Sequence, residues 1–425
     1  MDRKEFLRRR RQFMRMIGKN AIAILPAAPV RHRNGDIEHA YRQDSHFHYL
    51  TGFPEPDAVA VMVPGRTHAE YVLFVRERDA EREAWEGPRA GTEGAMTEFG
   101  ADDAFPIADI DDILPGLIER RSRIFYAFGL HRDFDTQIAG WVHGLECGEF
   151  VALNHVLDDM RLYKSRAEQA SLRHAAEIAV GAHRRAMRFA RPGHREYEVL
   201  AEVLHEFRRH NAEPSYPPIV GGGANSCVMH YLANDQRLCA GDLLLLDAGC
   251  EHDYYASDVT RTFPVSGRFS RAQRAVYDVV LEAQAAAIDQ VRPGNHWNQP
   301  HEAAVRVITQ GLIALGLLQG RVARLIKEKA YQPFFNHRTG HWLGIDVHDV
   351  GDYKVGGEWR VLEAGMALTV EPGIYIRPSP RTPKEFWNIG IRIEDDVLVT
   401  NGFPEVLTGA LEKTPEAIER LMSAA

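Results

Sequence analysis

The sequence lacks several features that would place it in common functional classes. No apolar run approaches the ~18 residues that a membrane-spanning helix needs. The formal net charge of −8 argues against nucleic acid as a partner, because phosphate binding usually requires a basic face. No G-x-S-x-G motif indicates a serine hydrolase, and no P-loop lysine follows the glycines at 221–223. We therefore expect an ordinary globular protein, 45% hydrophobic and 26% charged, with no membrane partner.

Cysteine is also scarce, and no C-x-x-C pair is present to indicate a zinc knuckle or a redox site. The four cysteines are Cys147, Cys227, Cys239 and Cys250. The basic N-terminal segment MDRKEFLRRRRQFMRM lacks the apolar core of a secretory signal, so we expect a cytoplasmic protein with free thiols. We interpret this segment as a solvated amphipathic helix with Phe6, Phe13 and Ile17 facing inward.

The first part of the chain alternates short apolar runs with turn residues. We predict strands at AIAILPA, AVAVMVPG, AEYVLFV and RSRIFYAFG, and a helix at DDILPGLIERR. This pattern predicts an N-terminal α/β domain over residues 1–164, within the two or three domains that 425 residues allow.

The second part, residues 165–425, has a different order of elements. Ser165 and Glu168 form a capping box that predicts a long helix ending at Arg191-Pro192-Gly193, and a second helix follows over about 194–211. Ser270 and Gln273 form another capping box, which predicts the start of a third helix, and a fourth helix is predicted over residues 299–318. Strands follow each helix pair, at GDLLLLDAGC and SDVTRTFPVSG and then at MALTVEPGIYI and NIGIRIEDDVLVT. The order predicts two similar halves and an α+β fold with a mainly antiparallel sheet covered by helices.

Four acids lie in or beside the apolar strands of this second part. Asp247 and Asp258 belong to the first strand pair, and Glu371 and Glu394 to the second. A buried carboxylate is costly unless a cation compensates it or its pKa rises. Any single one of these acids is better explained as a surface residue paired with an arginine. For all four, the nearby Arg261 and Arg392 are too few, whereas two divalent ions would balance the charge.

His341 adds an imidazole to this set of oxygen ligands. It lies in FFNHRTGHWLGIDVHDVG, which also contains His337 and His348 among glycines. One imidazole among carboxylates suits manganese, cobalt, iron or zinc better than calcium. A zinc-protease motif at His205 and His210 is excluded, because a spacing of five puts the two rings ~140° apart around a helix.

Together these segments resemble the aminopeptidase P branch of the pita-bread metallopeptidases, family M24. The resemblance rests on LLLLDAGCEHDYYASDVTRTFP, HRTGHWLGIDVHDVG, LTVEPGIYI and GIRIEDD, and in the N-terminal part on YRQDSHFHYLTGFPEPDAV and WEGPRAG. It implies a creatinase-N-like α/β domain followed by a pita-bread catalytic domain with a curved sheet. It also implies two divalent ions, most often Mn²⁺, with Co²⁺, Zn²⁺ or Fe²⁺ as alternatives.

The resemblance further implies a role for each metal ligand. Asp247 would chelate one ion, Asp258 and Glu394 would bridge both, and His341 and Glu371 would complete the second. A hydroxide shared by the two ions would attack the scissile carbonyl carbon, and Glu371 would act as general base.

The remaining site residues are likewise implied by the resemblance. His348 would stabilise the oxyanion, while His230 and His337 would contact the substrate, His337 on the proline side. Tyr375 and Arg392 would support the site. Two residues of the N-terminal domain are implied as well. Asp36 would pair with Arg392, and Trp85 would project towards a neighbouring subunit's active site.

The reaction implied is release of the N-terminal residue from peptides with proline in second position. Two alternatives remain open at this stage: a prolidase, which cleaves only Xaa-Pro dipeptides with the same ligands, and a pita-bread module that binds peptides without catalysis. A homo-oligomer, either dimer or tetramer, is also implied.

Overall fold

The computed structural model describes residues 1–424, which divide into two compact units. The first unit runs from Met1 to Met160 and the second begins at Arg161. The division lies inside the helix Leu153–Leu162, whereas the sequence places the domain boundary just before Ser165. Each unit has its own hydrophobic core.

The first unit is built on a six-stranded mixed sheet. The strands of this sheet are β1 (Ala21–Pro26), β4 (Val59–Met62), β5 (Tyr71–Val75), β6 (Asp103–Pro106), β7 (Arg123–Tyr126) and β8 (Glu149–Ala152). Two further strands, β2 (His32–Asn34) and β3 (Ile37–Glu38), form a separate hairpin. The sheet order is β6-β5-β4-β1-β7-β8, with β1 antiparallel to β4 and parallel to β7. The four predicted strands are confirmed as β1, β4, β5 and β7. Strands β1, β4 and β5 are buried almost throughout, which explains their continuous apolar sequences.

Seven helices belong to the first unit or join it to the second. They are α1 (Arg3–Ile17), α2 (Ser45–Thr51), α3 (Ala80–Glu86), α4 (Gly91–Thr97), α5 (Ile110–Ile118), α6 (Arg132–Val142) and α7 (Leu153–Leu162). Helix α5 confirms the helix predicted at DDILPGLIERR.

Helix α1 confirms the predicted N-terminal helix, with Phe13 and Ile17 fully buried and Phe6 partly buried. The expectation that its charges are solvated is wrong for two of them, because Arg9 and Arg10 are buried. Their guanidinium groups donate to the carbonyl oxygens at the end of α2, at 3.1 and 2.9 Å. A helix C-terminus carries unpaired carbonyls and partial negative charge, so buried cations are compensated there.

The second unit contains only antiparallel strand pairs within its described residues, as predicted. Its strands are β9 (Glu213–Pro214), β10 (Ile219–Gly222), β11 (Leu243–Asp247), β12 (Cys250–His252), β13 (Tyr255–Ala256), β14 (Thr260–Pro264), β15 (Lys354–Val355), β16 (Glu358–Trp359), β17 (Ala367–Val370), β18 (Gly373–Ile376), β19 (Ile389–Arg392), β20 (Asp395–Leu398) and β21 (Glu405–Val406). They form the ladders β10-β11-β14, β13-β12-β9, β15-β16, β17-β20-β21 and β18-β19.

The helices of the second unit are α8 (Arg166–Phe189), α9 (Glu196–Arg209), α10 (Arg271–Asp289), α11 (Gln299–Ala314), α12 (Val322–Lys327) and α13 (Pro415–Ser423). Four of these six helices, α8 to α11, begin close to where the sequence predicts, and α12 and α13 were not predicted. Both capping boxes are present, at Ser165 and at Ser270. Helix α11 ends earlier than predicted because Gly316 adopts a φ of 73°, a conformation that terminates helices. No helix within residues 1–424 is both long and apolar enough to cross a lipid bilayer.

Candidate active site

The four acids lie at the ends of strands rather than within them. Asp247 is the last residue of β11 and pairs in register with Thr260 of β14, which Asp258 precedes by two positions. Glu371 follows β17 and Glu394 precedes β20, so each lies where one predicted apolar run breaks into two strands. At the first break Pro372 follows Glu371, and proline cannot donate to a strand ladder.

One hydroxyl group joins the first two acids. The Tyr216 hydroxyl lies 2.5 Å from Asp247 Oδ1 and 2.6 Å from Asp258 Oδ1. A phenol carries one hydrogen, so it can donate to only one carboxylate at a time. The other oxygen then needs a proton or a cation to relieve the repulsion between lone pairs.

His341 brings an imidazole against the same carboxylates. Its Nε2 lies 3.2 Å from Asp258 Oδ2 and 3.8 Å from Glu371 Oε1. Its Nδ1 donates to the Trp342 carbonyl at 2.9 Å, an arrangement that leaves Nε2 free to bind a metal. Asp258, His341 and Glu394 offer one ligand atom each, all within 4.8 Å of one another.

The acids are poorly compensated by the protein itself. Burial raises the pKa of Asp247, brings that of Glu371 to about 7 and raises that of Glu394 well above its usual range; neighbouring carboxylates add to each rise. Burial by itself would lower the pKa of His341, but its hydrogen bond with Asp258 and the nearby acids outweigh burial and raise it to about 9. The cluster is therefore short of positive charge.

The two arginines near the acids supply only part of that charge. Arg392 donates to Asp247 Oδ2, to the Tyr375 hydroxyl at 3.0 Å and to Thr260 Oγ1 at 3.1 Å. Arg261 binds the carboxylate of Asp395 at 2.7 Å, and it reaches only the backbone carbonyl of Glu394. One guanidinium therefore faces four carboxylates.

The remaining predicted histidines lie around the same point. His337 Nε2 is 2.9 Å from the Tyr375 hydroxyl, and the ring centroid of His348 is 4.3 Å from that of His341. Burial lowers the pKa of His337 to about 3 and also lowers that of His348, so both rings are neutral near pH 7.

A cavity of about 480 Å³ joins these groups. Its lining includes both polar and apolar residues: Tyr216, Pro217, Ile219, Met229, His230, Leu232, Asp247, Asp258, His337, Arg338, Gly340, His341, Val347, His348, Glu371, Arg392 and Glu394. All five predicted metal ligands and all three predicted substrate-contacting histidines are among them. Tyr375 lies behind the lining, buried against Ile219 and Leu245.

The other two predicted site residues lie in the first unit. Asp36 occupies the turn between β2 and β3, and Trp85 on α3 is 91% exposed. Their proposed roles remain predictions. The sequence reasoning missed Tyr216, Thr260 and Arg338, since an isolated tyrosine, threonine or arginine carries no pattern by which a sequence alone could select it.

Comparisons with known proteins cover both units. Residues 170–401 match the model of metallopeptidase family M24, and residues 6–126 match that of the aminopeptidase P N-terminal domain. The Xaa-Pro aminopeptidase of Escherichia coli (strain K12) is 43% identical over 436 residues, which cover 100% of this chain and 99% of that protein. The structure of aminopeptidase PepP from Pseudomonas aeruginosa is 57% identical, with a TM-score of 0.98 and coverage of 100% and 98%. A zinc-substituted E. coli aminopeptidase P in complex with product is 43% identical, with a TM-score of 0.97 and coverage of 100% and 99%.

Proposed function

The chain belongs to metallopeptidase family M24 and acts as an Xaa-Pro aminopeptidase, and from that premise we propose that its acid cluster holds two divalent ions for this reaction. Its fold is the aminopeptidase P N-terminal domain followed by the pita-bread catalytic domain. The reaction releases the N-terminal residue of a peptide whose second residue is proline. Full-length similarity to Xaa-Pro aminopeptidases favours this reaction over that of a prolidase, and over a module without catalysis.

One observation carries the assignment of the metal site: three buried carboxylates, the partly buried carboxylate of Glu371 and one imidazole converge with a single guanidinium to compensate them. The proposed ligands are Asp247, Asp258, His341, Glu371 and Glu394. Carboxylate oxygens and a neutral imidazole nitrogen fit first-row divalent ions. The raised pKa values of the acids are the physical sign that the protein alone leaves these charges unpaired. The donor set therefore fits the group that the family implies.

The side chains around the ions then have distinct roles. When bound, two divalent ions polarise the scissile carbonyl and lower the pKa of water, so that a nucleophile exists near neutral pH. Glu371 takes a proton from the attacking water and delivers it to the proline nitrogen. When the carbon–nitrogen bond breaks, the proline nitrogen therefore leaves as a neutral amine.

Three histidines of the cavity contact the substrate. His348 donates to the oxyanion that forms on the carbonyl oxygen, and its position beside His341 supports that role. His337, held by the Tyr375 hydroxyl, and His230 bind the peptide in the cavity. A dedicated pocket is needed because proline has a tertiary nitrogen and a fixed backbone angle, which general peptidases bind poorly.

Further properties belong to the same proposal. Manganese is the favoured ion, and the zinc-substituted E. coli structure supports zinc as an ion that such a site accepts. A cytoplasmic location is supported by the four free thiols, of which Cys227 and Cys250 are buried. The homo-oligomer belongs to the same proposal, and Trp85, which is 91% exposed, is accessible to a neighbouring subunit.

The decisive test of the site compares variants on peptides of two lengths. Purified protein reconstituted with manganese should cleave a tripeptide such as Arg-Pro-Pro, while the dipeptide Ala-Pro is a poorer substrate. Glu371→Ala should lower kcat by at least ~100-fold, because it removes both a ligand and the proton acceptor. Glu282→Ala, on the exposed face of α10, is the matched control and should leave kcat unchanged. Equal activity of the two variants, with equal metal content, would contradict the assignment.

A further inference from the structure

One arginine at the wall of the cavity has no carboxylate partner. Arg338 and Arg392 are the two arginines that line the cavity. Arg392 is bound to the Asp247 carboxylate and to the Tyr375 hydroxyl. Arg338 makes no ion pair with any carboxylate in residues 1–424, and its one side-chain hydrogen bond there goes to a neutral amide. The cavity wall therefore includes an arginine to which no carboxylate within residues 1–424 is bonded.

The backbone of Arg338 is fixed beside the reacting groups. His337 Nδ1 donates to the Arg338 carbonyl at 2.7 Å. The amide of Glu371 donates to the carbonyl of the next residue, Thr339, at 2.8 Å. Arg338 thus lies one residue from a direct backbone contact with the proposed general base.

The guanidinium is also held in place. Its Nη2 donates to Asn298 Oδ1 at 2.5 Å, and its Cζ lies 5.1 Å from the ring centroid of Trp359. Asn298 in turn donates to Glu302 at 2.5 Å, so the nearest acid acts only through an intervening amide. Stacking and one hydrogen bond restrict the side chain while the guanidinium keeps further N–H donors for another group. A cation restricted in this way binds an anion at a smaller entropic cost than a mobile one.

We propose that Arg338 forms a subsite for a carboxylate of the substrate, and that the enzyme therefore favours Xaa-Pro peptides that carry one. This inference rests on the proposed function. Two parts of a peptide can supply the carboxylate: an acidic side chain on the first residue, or a carboxylate that follows the proline. A planar guanidinium binds either through two parallel N–H···O bonds.

The test uses peptide pairs that differ only in one charge. The first pair is Glu-Pro-Ala-amide and Gln-Pro-Ala-amide, and the second is Ala-Pro-Asp-amide and Ala-Pro-Asn-amide. The measured quantity is kcat/KM for each peptide with wild type, Arg338→Gln and Arg338→Lys. Arg306→Gln is the matched control, because Arg306 is an exposed arginine of α11 that does not line the cavity.

In Arg338→Gln, the ratio of kcat/KM between the acidic and the neutral peptide should fall about ten-fold or more in at least one pair, as for the loss of one charge-assisted hydrogen bond. The pair that responds identifies which side of the scissile bond the subsite serves. Arg338→Lys should retain part of the ratio, and Arg306→Gln all of it. An equal fall on all four peptides, or no fall on any, would overturn the proposal. Failure of wild type to cleave the neutral peptides would instead contradict the proposed function, so the two failures are distinguishable.

Discussion

Asp349, Arg161 and Lys164 form a buried ion network that holds the loop carrying His348, and breaking this network should lower the free energy of unfolding. Asp349 accepts hydrogen bonds from Arg161 Nη2 at 2.5 Å and from Lys164 Nζ at 3.0 Å, and all three side chains are almost fully buried. Asp349→Asn removes the negative charge beside both cations, and because they bind different carboxylate oxygens, the single amide oxygen can replace the acceptor of only one of them. Breaking a buried pair in this way costs about 3–5 kcal/mol. We expect a value near 3, because Arg161 keeps its bond to Asp346 at 2.7 Å.

The loss should also depend on pH in a defined direction. Burial alone would raise the pKa of Asp349, but the charges of Arg161 and Lys164 outweigh burial and hold the pKa below its usual range. A depressed carboxyl pKa contributes stability that is fully present above the unfolded-state value of ~3.9 and is lost as the pH falls through the folded-state value. The stability gap between wild type and Asp349→Asn should thus be constant from about pH 5 to 7 and shrink below about pH 4.

Urea unfolding of metal-free protein measures this gap and can be followed by tryptophan fluorescence; of the six tryptophans, Trp342 is fully buried in the same loop. Asp346→Asn is the matched control; its side chain is 35% exposed, so its loss should be below that of Asp349→Asn. A loss under about 1 kcal/mol for Asp349→Asn, or a gap that persists unchanged at low pH, would refute the reasoning.

Three further predictions follow from other parts of the structure. Metal binding to protein that a chelator has stripped of metal should release protons, and the affinity should rise between about pH 6 and 8, because without metal the pKa of Glu371 is about 7 and that of His341 about 9. Calorimetry in buffers of different ionisation enthalpy measures the number of protons released, and a value of zero would contradict the prediction. Glu196→Gln should raise KM several-fold with little change in kcat, because its buried carboxylate accepts four hydrogen bonds from residues 222–236, a segment that supplies Met229, His230 and Leu232 to the cavity lining. An unchanged KM in steady-state assays would count against this. A thiol reagent should modify native protein first at Cys239, the exposed cysteine, and peptide mapping that found a buried thiol labelled first would contradict the model.

Local sequence signals were sufficient for the four longest helices of the second unit and for the most apolar strands. Both capping boxes place the starts of α8 and α10, since the serine and the acid or amide three residues later satisfy each other's backbone groups without outside help. The continuous apolar runs locate β1, β4, β5 and β11. Where a prediction failed, tertiary contacts or a single backbone angle decided the outcome, as at the buried arginines of α1 and at Gly316.

By itself, the sequence determined which acids and which histidine had to be considered together. Four acids in or beside the apolar strands of one domain, with too few arginines to balance them, are together too costly to be incidental, and that argument needs no coordinates. Only the tertiary structure decided how their charges are balanced. The Tyr216 hydroxyl reaches two acids that lie 31 and 42 positions away, and Arg161 reaches Asp349 across 188 positions. Such partners share no spacing rule, because packing of distant strands and loops brings them together, and hydrogen-bond geometry then selects which of them interact.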